Sequence, residues 1–184
     1  NHPVATCRSA ALLAGIAMRV RAPFSGSATS ALPVLLSRLK DKKRPVVAAC
    51  ADSATALATY AMDLVDSMPL LAASASAHTK ARNAAAAACV FTVLRACLSS
   101  SEASADSLFW PPRRRARAGD ADLMADAAAL IRSGIEGYAV DVRVAAEAAM
   151  AAAVSRCGTL AAASGTGGLS AMDAAGKHHA LGPA

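Results

Sequence analysis

Cationic and polar residues gather at four points of this chain, each just ahead of an alanine-rich helical stretch. They read Asn1-His2-Pro3-Val4, Lys40-Asp41-Lys42-Lys43-Arg44-Pro45-Val46, His78-Thr79-Lys80-Ala81-Arg82 and Val140-Asp141-Val142-Arg143. The chemistry open to such residues is recognition: lysine and arginine donate charge-assisted hydrogen bonds to carboxylates, worth about 1.5–3 kcal/mol each when desolvated. A plainer role is a solvated rim that keeps a helical array in solution. Arg143 has a further option, bracing its own turn by donating to main-chain carbonyls.

Other chemistry has thin support. The five cysteines (Cys7, Cys50, Cys89, Cys97, Cys157) show no CxxC spacing and sit within helical patterns, which reads as small core residues in a reducing compartment. Of the four histidines, His2 and His78 stand apart and His178-His179 are adjacent. None has a partner one turn away or an HExxH context, so no metal site is expected. Gly165-Thr166-Gly167-Gly168 lacks the preceding strand of a dinucleotide loop, and no GxxxxGK[ST] occurs. No catalytic group, cofactor or metal is expected, and the chain reads as a non-enzyme. Phe109-Trp110-Pro111-Pro112, followed by Arg113, Arg114, Arg115 and Arg117, is a basic stretch that reads as a decoration or as an attractor of acidic tails or phosphates. With so few aromatics beside it, a base-stacking platform is not expected.

The elements that must position the cations are helices. The four phrases recur at roughly forty residues once a Ser/Pro/Arg-rich stretch at 99–119 is set aside, the length of a helix-turn-helix unit of the HEAT type. Apolar spacing predicts helices over 3–22 and 32–39, the latter after a capped turn at Ser25–Ser30 with Pro33 near its start, then over 45–60. A fourth follows Asp63, its start blurred by Pro69, and others cover 83–98, 120–133 and 140–157, with Gly158 as a C-terminal stop. The expected core faces are Val4, Cys7, Ala11, Ile16 and Val20 in the first helix and Leu32, Leu35, Leu36 and Leu39 in the second. The segment 99–119 is too polar and proline-rich for a helix, 163–168 is a link, and 169–181 holds a short last helix. Nothing alternates at period two, so strands are not expected.

The 184 residues make one domain's worth of chain, enough for a continuous core if helices stack. Hydrophobic residues are 55% yet aromatics only 3%, so alanine carries much of the apolar count and stability falls to the interspersed Leu, Ile, Val, Met and Cys. The net charge of +6 suits an acidic partner: nucleic acid, anionic membrane or acidic protein. Arg8–Pro23 carries a leader-like apolar run, but Arg19 and Arg21 close it early and it reads as a core helix. No uncharged run is long enough to span a bilayer.

The stretch Phe24–Ala58, FSGSATSALPVLLSRLKDKKRPVVAACADSATALA, resembles the central part of a TOG domain, the tubulin-binding HEAT array of the microtubule polymerase and CLASP group. Leu32–Val47 is similar to that family's "LPVLLEKLKEKKP" followed by a valine-led helix. Asp141-Val142-Arg143, with Ala145-Ala146, is similar to its "EVRDAA", and Gly168–Asp173 with Gly176-Lys177 to its closing segment. The family's first repeat, whose turn bears a tryptophan, has no counterpart, so the chain is expected to begin inside the second repeat. The Asn-Pro turn usual in the fourth repeat is replaced by His78-Thr79, and the aspartate usual before the "EVR" turn is missing near Gly137-Tyr138.

The resemblance implies an all-α fold, a paddle-like HEAT-repeat α-solenoid over 1–184, whose intra-repeat turns grip curved αβ-tubulin and support microtubule growth or stabilisation. It implies contacts from Asn1, His2, Lys40, Lys42, Lys43, Arg44, Lys80, Arg82 and Arg143, with Lys177 and His178 in the last repeat. Earlier turns would face β-tubulin and later ones α-tubulin. Implied with these are a cytoplasmic, cytoskeletal location (spindle pole, centrosome or cilium) and companion domains in a larger protein. Two other classes stay open: an architectural HEAT module of a ciliary or spindle-pole assembly, and a nucleic-acid binder using the basic stretch.

Overall fold

The computed structural model describes residues 2–103, 120–137 and 139–164, and the expectations for 104–119 and 165–184 lie outside the described residues. All regular structure among the described residues is helical: α1 Pro3–Val20, α2 Ser25–Arg38, α3 Arg44–Ala56, α4 Leu64–Lys80, α5 Ala84–Ala103, α6 Asp120–Ile135 and α7 Val140–Ser164. A 3-10 turn at Ala22–Phe24 joins α1 to α2, and a π-helical turn at Leu57–Ala61 closes α3.

Local chemistry accounts for several boundaries. Pro3 and Pro45 occupy first turns, where a missing N–H costs no intrahelical bond. The Asn83 side chain caps α5, its Oδ1 accepting the Ala86 N–H at 3.1 Å. Three expectations fail. Ser25–Ser30 is no separate turn but the start of α2, where the Thr29 hydroxyl donates to the Ser25 carbonyl and that of Ser30 to Gly26. Pro33 and Pro69 therefore lie inside α2 and α4, with exposed rings on the outer surface. Gly158 does not stop α7, which runs on to Ser164. A mid-helix glycine costs only about 1 kcal/mol against alanine, which the alanine-rich turns around it outweigh. Likewise 99–103, read as too polar for helix, continues α5.

The helices form two rows. α1, α3, α5 and α7 lie side by side in chain order, and α2, α4 and α6 do the same. Between the rows, α2 packs on α3, α4 on α5 and α6 on α7. The core runs along the seam: Leu32, Leu35, Leu36 and Leu39, then Cys50, Leu57, Met68 and Leu71, then Val90, Phe91, Leu94 and Cys97, and finally Ala127, Ile131, Val142, Ala146, Ala149 and Ala153. The α2 residues are the inward face expected from the sequence, and in α3 to α7 the buried positions recur at the same three- and four-residue steps. The most extensive packing is α5 on α7. Gly134 of α6 helps make it possible, since a Cβ there would stand 2.5 Å from Phe91 Cζ and 2.8 Å from Ala146 Cβ.

The first helix departs from expectation. Its buried positions are Ala10 and Ala17, with Cys7 half-buried, whereas Val4, Ala11, Ile16 and Val20 are exposed and Leu12 is 68% exposed. α1 lies at one end of its row with α3 beside it, so its larger side chains face outward and its alanines inward.

Candidate functional site

Each cationic phrase is to be placed by the helices that flank it, and one buried histidine fixes two of them. His78 sits in the last turn of α4 with Nε2 3.1 Å from the carbonyl oxygen of Leu36, in the last turn of α2. A carbonyl only accepts, so Nε2 carries the proton. The C-terminal ends of α2 and α4 are therefore adjacent, and the α2–α3 and α4–α5 turns lie on the same edge. Gly134, near the end of α6, abuts Phe91 in the first half of α5 and Ala146 in the first half of α7, which brings the α6–α7 turn to that edge as well. Cys7 adds to the raised pKa of Cys50, after burial as the larger cause, so the early turns of α1 and α3 are neighbours and His2 is at this edge too.

The α2–α3 turn is the most developed. Asp41 Oδ1 accepts the Lys43 N–H at 3.0 Å, folding the loop over its own aspartate. Lys40, Lys42, Lys43 and Arg44 are all exposed around it. Ser37, Arg38, Lys40, Asp41, Lys42 and Lys43 line a shallow depression of about 450 Å³. Arg38 belongs to this surface although sequence reading passed it over; its position two residues before Lys40 was the available signal.

At the α4–α5 turn, Lys80 and Arg82 are exposed, and His78, expected among the turn residues, is instead buried within α4. The turn closes as a Schellman motif: the Asn83 N–H donates to the His78 carbonyl at 2.9 Å and the Arg82 N–H to Thr79 at 3.0 Å. Arg82 thus takes the left-handed position at φ 53°, where glycine is usual. At the third turn the Arg143 guanidinium donates to the Gly137 carbonyl at 3.4 Å, the bracing role open to it from the sequence. Glu136 and Asp141 are exposed at the same turn, so its charge is not net positive. Among the described residues the positive charge of this edge is concentrated near α3 and fades toward α7. Asn1, Lys177 and His178 lie outside the described residues.

Burial pushes Cys50, Cys89 and Cys157 above the usual thiol range, which disfavours the nucleophilic thiolate. Among the described residues no group of three or more His, Cys, Asp or Glu side chains is placed to hold a metal ion, and no helix is long and apolar enough to cross a membrane. Comparisons with protein-family models, with curated proteins and with solved structures return no match to this chain.

Proposed function

We propose that this chain is a binding module of the HEAT-solenoid type whose turn edge engages curved αβ-tubulin in the manner of a TOG domain. The observation that carries the reading is the His78–Leu36 contact, which sets the Lys40–Arg44 and Lys80–Arg82 clusters side by side on one exposed edge. Paired rows of helices with turns along one edge are what a solenoid of this kind requires, and an acidic protein surface is what such an edge would attract. Rigid turns that fit bent tubulin better than the straight lattice would favour one tubulin shape by their difference in affinity. Tethering beside sister domains would raise the local concentration of subunits.

A second reading, an architectural module in a larger assembly, is favoured by the exposed apolar face of α1, since a scaffold buries helix faces and leaves turns idle. One experiment separates them. Lys42→Glu with Lys43→Glu should abolish co-elution with soluble tubulin while helicity stays unchanged. Undiminished co-elution would remove the turn edge as the tubulin surface, and no co-elution by the unaltered chain at low salt would turn the argument to the scaffold.

A further inference from the structure

Among the described residues, α1 and α7 end the row α1, α3, α5, α7, and their outward faces match. On α1, Arg8, Ala11, Leu12, Gly15, Ile16, Arg19 and Val20 line a nearly apolar groove of about 690 Å³ on the side opposite the buried Ala10 and Ala17. Its charged members are both arginines, and no acidic residue occurs anywhere in α1. On α7, Val140, Val144, Glu147, Ala151 and Val154 recur at three- and four-residue steps and are all exposed, opposite the buried Val142, Ala146, Ala149 and Ala153. That stripe is apolar and small, its one charge is the negative Glu147, and the exposed Arg143 flanks it one turn earlier.

We propose that the occupant of the α1 groove is the α7 stripe of a second copy of this chain, giving head-to-tail association that continues the row. Continuity with the packing inside the chain supports this occupant. α5 and α7 already pack closely, and they do so in parallel: Gly134 abuts Phe91 and Ala146 at one level, while Arg156 donates to the Cys97 carbonyl at 3.3 Å further along. If α7 of one copy repeats this on α1 of the next, both helices starting at the same edge, Glu147 comes level with Arg8 and Ala11. Small Ala151 then faces Gly15, where a close approach meets no side chain. The contact is heterologous, so it extends into short open chains and does not close as a symmetric pair. One helix on one helix is a small interface, below about 1,200 Å², and belongs with weak, concentration-dependent contacts.

Sedimentation velocity on the unaltered chain, from about 10 µM to about 500 µM, tests it over the range expected of so small an interface. The weight-average sedimentation coefficient should rise with concentration. Arg8→Glu alone and Glu147→Arg alone should each weaken association by about two- to fivefold. The chain carrying both should regain it, because the swapped charges again meet across copies. Leu12→Lys should abolish it, and circular dichroism on each variant checks that these exposed substitutions leave the helices formed. A chain that stays monomeric throughout overturns the proposal. So does association indifferent to Leu12→Lys, or single reversals that the double exchange fails to rescue. Binding of the α1 face only to a different protein or to anionic vesicles would also overturn it.

Discussion

The imidazole of His78 and the main-chain carbonyl of Leu36, 3.1 Å apart and out of water, tie the last turn of α4 to the last turn of α2. The same residue's own carbonyl accepts the Asn83 N–H that closes the next turn. The buried side chain of His78 thus sets the spacing of neighbouring cationic turns, and its main chain closes one of them.

Removing the imidazole should loosen the contact between α4 and α2 and leave the main-chain bond of the turn in place. His78→Ala leaves the Leu36 carbonyl without this partner and opens a small void, at a cost of about 1–3 kcal/mol. Urea denaturation followed by circular dichroism measures it; a midpoint unchanged from the unaltered chain would show that the contact contributes nothing.

Arg82 is held in a conformation that favours glycine. A left-handed residue costs an L-amino acid about 1–2 kcal/mol, and glycine's extra chain entropy offsets part of the relief. Arg82→Gly should therefore raise stability by about 0.5–1 kcal/mol. If the turn edge binds an acidic protein, the same variant should bind more weakly. Gain of melting temperature with loss of tubulin co-elution would mark a cation kept at the expense of backbone comfort; a destabilised variant would contradict the strain.

Gly134 leaves room for the Phe91 ring and the Ala146 methyl. Gly134→Ala should lower stability by about 1–3 kcal/mol through overpacking, despite alanine's better helix propensity. Thermal melts decide the sign, and a stabilised variant would show that α6 can shift aside without penalty.

Arg143 separates bracing from binding. Its contact to Gly137 is long and exposed, so Arg143→Ala should change stability by less than about 1 kcal/mol. Arg143→Lys keeps the charge without the forked donor. Equal tubulin retention by the lysine and alanine variants would rule out a charge contact at this turn.

Alkali should weaken the fold through its thiols. Burial raises Cys50, Cys89 and Cys157, so the folded state keeps protons that the unfolded chain releases above about pH 8.5. Their contribution to stability is flat below that value and falls as pH rises through it. Denaturation midpoints at successive pH values check the trend, and Cys50→Ala or Cys89→Ala should flatten it.

Three- and four-residue spacing of Leu32, Leu35, Leu36, Val90, Phe91, Leu94, Ala146 and Ala149 determined the helices and, for α2 to α7, the faces they bury. That information is local, because side chains one turn apart share a face whatever they pack against. The lysine run and its aspartate likewise announced a turn. Which face of α1 meets the core was decided by its place at the end of a row, where alanines allow close approach to α3 and leave Leu12 and Ile16 outside. The burial of His78 was also a tertiary outcome. It depends on which helix end comes to lie beside which, and the contact of His78 with Leu36 joins residues too far apart in the chain for any spacing rule to connect.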